Sequence, residues 1–172
     1  MKKSTRNKLI ATAILFTGFI SISFAQSTAT ATATATIITP ISIAKNTDMS
    51  FGNIAVQTAT GGTVVLAPAG TRTSTSGVTL PATTGTVTAA SFTVNGNGTS
   101  TYAITLPTTV TLTHSGGVQT MAASSFTSNP SGTGALSAGT QNIAVGATLT
   151  VAAAQLAGVY TSGNFNVTVN YN

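Results

Sequence analysis

Residues 87–106, VTAASFTVNGNGTSTYAITL, decide how this chain is read. Phe92 and Val94 share one phase, and Tyr102, Ile104 and Leu106 share another, with Asn95-Gly96-Asn97-Gly98 between them. Strand side chains alternate between two faces, so each run offers one face for burial. Asn and Gly tolerate positive φ, and such residues between two alternating runs predict a β-hairpin. Inside the first run the apolar phase changes: Val87 and Ala89 are odd, while Ala90, Phe92 and Val94 are even. A change of phase within one strand predicts a β-bulge.

The same alternation extends outward in both directions. Ile37, Thr39, Ile41 and Ile43 share a phase, with Pro40 on the other, as suits an edge or a bulge. Further strands are predicted at 49–54, at 63–67 after Gly61-Gly62, at 78–80 before Pro81, and at Val110, Leu112 and His114. Residues 143–145 and 149–151 read as two more, and Phe165, Val167, Val169 and Tyr171 as the last. Helical spacing of apolar residues is absent after the first segment; residues 152–157, before Gly158, leave room for one short helical turn. About seven to nine short strands divided by turns predict an all-β sandwich.

The first 25 residues stand apart. Lys2, Lys3, Arg6 and Lys8 precede a mainly apolar stretch, and Ser23-Phe24-Ala25 places small residues where a signal peptidase reads, predicting cleavage before Gln26. The competing reading is a membrane anchor, but the stretch is shorter than the roughly 20 residues a span requires, and Ser and Thr interrupt it. After cleavage Lys45 and Arg72 remain against Asp48 alone, so the basic balance of the whole chain belongs to the leader. No basic patch survives to engage a phosphate backbone, which argues against nucleic acid. A single domain, residues 37–172, is expected, and without Cys it has no disulfide to support it. An almost uncharged chain rich in Val, Ile and Thr reads as a β protein whose outer faces carry Thr, Ser and Asn. Weak charge repulsion is a liability for a soluble monomer and tolerable in a protein that self-associates.

Residues 26–36 are the odd piece. Ala29, Ala31, Ala33 and Ala35 hold one phase, and it continues unbroken into Ile37 and Ile43. A single strand over 29–43 would extend ~50 Å at ~3.3 Å per residue, more than twice the usual strand length. Three readings stand: the tract breaks near Pro40 and packs in its own domain, it projects to pair elsewhere, or it is a low-complexity spacer. Ala buries little, so side-chain packing alone does not hold this tract in a sheet.

Catalytic chemistry has little to draw on. General acid–base catalysis usually takes two positioned titratable groups, and beyond the leader there is one carboxylate, one His and no Cys. Glycosidase carboxylate pairs are excluded. A Ser-His-Asp triad is allowed by count, through His114 and Asp48, but G-x-S-x-G does not occur and His114 reads better as a packed or turn-exposed imidazole. Two strong side-chain ligands far apart are too few for a metal. No phosphate loop is formed by the Gly-rich turns. The expectation is a protein that is not an enzyme and needs no cofactor.

Three stretches carry a family resemblance: DMSFGNIAV from Asp48, ASFTVNGNGTSTYAITLP from Ala90, and LTVAAAQLAGVYTSGNFNVTVNYN to the end. They resemble a bacterial secreted family named only as domain of unknown function 4402, itself similar in pattern to spore-coat-U-like proteins and chaperone–usher pilins. The resemblance covers roughly residues 35–172. It implies an immunoglobulin-like, pilin-like β-sandwich lacking one strand, whose groove accepts an extended segment from a neighbour. At the C-terminus it implies that Phe165, Val167, Val169 and the penultimate Tyr171 line that groove, with Gly158 or Gly163 one strand-length earlier. Two departures stand out: there is no counterpart of the usual pilin disulfide, and the Ala/Thr tract lacks bulky anchors. The bland reading of the C-terminus is a core strand that Tyr171 caps.

The resulting expectation is a secreted, non-catalytic structural subunit of a bacterial surface fibre or coat, crossing the periplasm if the envelope is Gram-negative. It would assemble by strand addition through Ala29, Ala31, Ala33, Ala35 and Ile37, with itself or related surface subunits and with an assembly chaperone. No membrane span remains after signal cleavage. The alternative is a self-complete cell-surface adhesion module, with Tyr102, Tyr160 and the Asn-rich turns offering contacts.

Overall fold

The structure, a computed structural model, describes residues 25–172; the predicted signal segment lies outside the described residues except for Ala25. Residues 25–36 are exposed and form no helix or strand. Ile37–Asn172 is one compact unit, all-β and sandwich-like. Its strands are β1 (Ser42–Thr47), β2 (Ser50–Phe51), β3 (Ala55–Val56), β4 (Gly62–Leu66) and β5 (Arg72–Ser76). Next come β6 (Val78–Thr79), β7 (Val87–Thr88), β8 (Ala90–Asn95), β9 (Thr101–Thr105) and β10 (Thr109–His114). The last are β11 (Thr120–Asn129), β12 (Thr133–Ala135), β13 (Thr140–Val151), β14 (Tyr160–Ser162) and β15 (Thr168–Tyr171).

These 15 strands among the described residues exceed the seven to nine expected. Some of the surplus lies in two-residue ladders, β2 with β7 and β3 with β6. The rest is hydroxyl-rich: β5 reads RTSTS, and β11 and β12 carry mostly small residues. Such strands have no apolar stripe, so alternation does not reveal them. Residues 152–157 form turns and no helix.

Strand β13 organises the molecule. On one side it pairs first with β8, from Thr140↔Asn95 to Val145↔Ala90, then with β4, from Ala147↔Leu66 to Val151↔Gly62. Its other side pairs with β11. What the sequence presents as two short strands is thus one strand of 12 residues. Gly146 stands where β8 hands over to β4, and a Cβ there would lie 2.1 Å from the Leu66 carbonyl oxygen. No other residue allows the Leu66–Pro68 backbone to pass so close.

The odd residues of β13 all point inward, and they feed two cores. Ile143 and Val145 join Phe92, Val94, Tyr102 and Leu136 in the first, closed by the three-stranded sheet β12-β9-β15. Ala147, Leu149 and Val151 join Phe51, Val64 and Leu66 in the second, flanked by the two small ladders. Phe126 packs against both. It follows Ser125, a residue with φ of 49° at a register shift in β11, a β-bulge that bends the strand between the cores.

The predicted hairpin does not form. β8 pairs with β1 and β13, whereas β9 pairs with β12 and β15, so the Asn95–Gly98 turn carries the chain from one sheet to the other. The turn's backbone groups find partners elsewhere: Gly96 N–H donates to Gly139 C=O at 2.9 Å, and Gly139 N–H to Gly98 C=O at 2.7 Å. The change of phase near Val87 is real but has a different cause. β7 ends at Thr88 and pairs with β2, and β8 starts at Ala90 against new partners.

Candidate functional site

The C-terminal strand forms one edge of the three-stranded sheet, beside β9. Asn172 N–H donates to Thr101 C=O, and β15 runs antiparallel to β9 in the same register, Asn170↔Ala103 and Thr168↔Thr105. Hydrogen-bonded pairs alternate in an antiparallel ladder, so Thr168 and Asn170 turn their backbone groups toward β9. Val169 and Tyr171 therefore aim theirs away from the sheet, where they make no backbone bond among the described residues. Their side chains stand out of the sheet plane instead, Val169 in the first core and Tyr171 against it. The result is a strand anchored by its side chains and open along its backbone.

Strand order departs from expectation at this end. Only Thr168–Tyr171 is strand; Phe165, Asn166 and Val167 approach it as extended coil. Val167 is buried in the first core, and half-buried Phe165 tilts against Phe126 with ring centroids 5.6 Å apart. Between this approach and the β9–β10 connection lies an open groove of about 400 Å³, with Leu106, Pro107, Val110 and Phe165 as its apolar walls and Asn164 and Thr168 among its polar ones. Gly163 borders the groove; Gly158 instead makes room for His114, whose Nε2 would lie 2.2 Å from an added Cβ.

Tyr171 serves as the cap that the plainer reading describes. Its hydroxyl accepts from the Asn97 N–H at 2.6 Å and donates to the Thr39 C=O at 2.8 Å. One side chain thereby ties the last strand to the sheet-crossing turn and to the segment that leads into β1. Gly96 leaves it space, since a Cβ there would lie 2.3 Å from the hydroxyl. Ile37, by contrast, is 98% exposed. Ala29, Ala31, Ala33 and Ala35 are exposed too, and no ladder among the described residues uses their alternation.

Other singled-out residues occupy structural positions. Tyr102 has no exposed surface, so it is not available for surface contacts. Its ring covers Gly134, its partner across the β9–β12 ladder, and its hydroxyl donates to Gln141 Oε1 at 2.6 Å. Burial pushes that hydroxyl above the ordinary tyrosine pKa. The Tyr160 hydroxyl donates to Leu156 C=O at 2.9 Å. His114 accepts from the Gly116 N–H through Nδ1 at 2.9 Å, leaving Nε2–H to donate to Ala157 C=O at 3.2 Å, while the ring meets Tyr160 edge-on. Both imidazole nitrogens are thus engaged by backbone, and Asp48 pairs instead with Lys45 at 2.7 Å.

Arg72 is the residue that the sequence does not single out. Its guanidinium donates to three backbone carbonyls, those of Phe51, Asn53 at 2.8 Å and Thr84 at 3.2 Å. Gly52, with φ of 69°, turns the chain around it. An isolated Arg in a Thr/Ser strand carries no pattern that foretells such a role.

The family model described as Domain of unknown function (DUF4402) matches residues 41–171, and the chain belongs to this family. No curated protein matches it.

Proposed function

We propose that the chain is a secreted, non-catalytic structural subunit of a bacterial surface fibre or coat, in which copies join by strand addition. Residues 26–36 of one copy add as a strand to the open edge of β15 in another. The observation that carries this reading is the division of labour in β15: Val169 and Tyr171 hold the strand by their side chains and leave their backbone groups facing outward. An exposed edge of this kind templates a further strand.

A short alternating segment with small side chains suits that edge. Each main-chain hydrogen bond contributes about 0.5–1.5 kcal/mol net, so a few bonds supply useful affinity without large side chains. Export by the leader, the immunoglobulin-like and pilin-like kinship, and a place on the cell surface belong to the same reading.

Deletion of residues 26–36 tests it. The shortened chain is expected to remain monomeric at concentrations where the mature chain polymerises, as read by sedimentation velocity. Identical polymers from both would end the proposal. The groove beside Phe165 supports a second reading, a self-complete adhesion module. A chain that stays monomeric at all concentrations and saturates with one surface ligand would favour it.

A further inference from the structure

Beyond Ser162 the chain parts from β10. Their ladder runs from His114↔Tyr160 to Leu112↔Ser162; the next positions in that register, Thr111 opposite Gly163 and Thr109 opposite Phe165, are not joined. The His114 N–H donates to Gln119 C=O toward β11, so alternation turns the backbone groups of Thr109 and Thr111 into the gap. Residues 163–167 make no backbone hydrogen bond among the described residues, and a Cβ on Gly163 would meet nothing within 4 Å. This gap is the open groove of about 400 Å³ beside Phe165, a volume typical of small-ligand sites. It lies between the C-terminal segment and β9 and β10, on the side away from the free edge of β15.

The lining is rich in neutral groups that both donate and accept. Thr105, Thr109, Thr111 and Thr168 bring hydroxyls, and Asn164 and Asn166 bring amides. Elsewhere such groups are tied to one another or to backbone, as Asn46 and Asn142 are to Thr93 and Gln155 is to Thr120. In the groove none of the six side chains is bonded to protein among the described residues. Leu106, Pro107, Val110 and Phe165 form an apolar wall, and no ionisable side chain lines the groove. A phosphate, a uronate or a cationic ligand would find no counter-charge there.

We propose that this groove binds a neutral oligosaccharide. Sugar hydroxyls both donate and accept, as the Thr and Asn groups do, and the unpaired backbone of Thr109, Thr111 and residues 163–167 offers further partners. The C–H face of a pyranose is apolar and suits the half-buried ring of Phe165, which Phe126 holds in place. The function goes beyond strand addition and does not depend on it. A copy joined through the free edge of β15 keeps its groove open, so each subunit brings one sugar site.

The test follows amide NMR shifts of the chain from residue 26 onward as cellohexaose, maltohexaose or chitohexaose is added at millimolar concentrations. At least one of these neutral sugars is expected to shift the amides of Thr109, Thr111 and residues 163–166 and to saturate. Hexagalacturonic acid, with a carboxylate on every ring, is expected to bind about 10-fold more weakly or worse. Thr109→Val/Thr111→Val and Asn164→Ala alter exposed side chains, so melting temperatures are expected to stay at the parent's. Affinity for the sugar is expected to fall about 10-fold, as the loss of one or two hydrogen bonds implies. No shift with any of the three neutral sugars, shifts confined to other surfaces, or unchanged affinity in both variants would overturn the proposal. Equal binding of the acidic hexamer would also overturn it. A synthetic peptide of residues 26–36 supplies the contrast. Should the peptide shift these amides where the sugars do not, the groove takes a strand and the sugar site is refuted. Sedimentation of the 26–36 deletion judges strand addition separately, so either idea can fail alone.

Discussion

The two cores fed by β13 are closed in different ways. Around Ile143 and Val145, a second sheet supplies the lid, and Tyr102, Val167 and Val169 pack down from it. Around Leu149 and Val151, two ladders of two residues each flank the core, and a cation gathers the loops that join them. Arg72 holds the carbonyls of Phe51, Asn53 and Thr84 where the first core has ladder hydrogen bonds. One strand, β13, thus unites two lobes whose covers differ in kind. The sheet-covered lobe keeps an unpaired strand edge; in the other, one side chain pins the loops of the cover.

Truncations along β13 probe this most strongly. Ile143→Ala and Leu149→Ala each remove a fully buried side chain and are expected to cost about 2–5 kcal/mol. Because β13 runs through both cores, both variants are expected to melt in a single shifted transition. An early separate transition in Leu149→Ala, seen by calorimetry, would show that the lobes unfold independently.

Arg72→Ala comes next, with a loss of about 2 kcal/mol, toward the lower end for charge-assisted bonds because the site is half-exposed. Arg72→Lys is expected to recover only part of it, since an ammonium does not match the planar fork. Hydrogen exchange should rise at residues 51–54 and 83–86 while the amides of β9, and those of Thr168 and Asn170 in β15, stay protected. Equal exchange in both lobes would contradict the pinning role.

Tyr102→Phe tests the other cover, where the lost bond to Gln141 is expected to cost about 1 kcal/mol. The buried hydroxyl also predicts alkaline sensitivity. The unfolded phenol ionises near pH ~10, while the folded one ionises higher. Stability is therefore unaffected by this group below that pH and falls as pH rises from there through the folded value. Tyr102→Phe should flatten the fall, as denaturant melts across that range would read.

Tyr171→Phe is expected to have the smallest effect on folding, about 1 kcal/mol or less. It should nevertheless loosen the hold on Thr39 and the Asn95–Gly98 turn. NMR line widths or hydrogen exchange at Gly96 and Asn97 would report it, and unchanged protection there would remove Tyr171 from that role.

Strands were legible where one face is apolar and the other polar, as at Phe92 and Val94, at Val110 and Leu112, and in both halves of β13. β5 and most of β11 were not, because Thr, Ser and Ala leave both faces alike. The hairpin error has a similar physical root. Asn95-Gly96-Asn97-Gly98 announces a turn, but turn chemistry does not say whether the flanking strands pair with each other. That choice was made by partners far along the chain, Gly139 and Tyr171, which bind the turn's backbone. Val167, Val169 and Tyr171 were legible as a burying face. That β15 ends a sheet, and that a groove opens beside Phe165, depended on which strands became its neighbours.

By itself, then, the sequence determined the all-β class, the inward-facing residues and the alternating segments at both ends, because these follow from local backbone geometry and apolar phase. Only the tertiary structure decided that β8 and β9 part into two sheets, that β13 serves two cores, and that β15 keeps an open edge. Strand pairing is non-local, and neither hydroxyl ladders nor a carbonyl-binding Arg leaves a periodic signal in the chain.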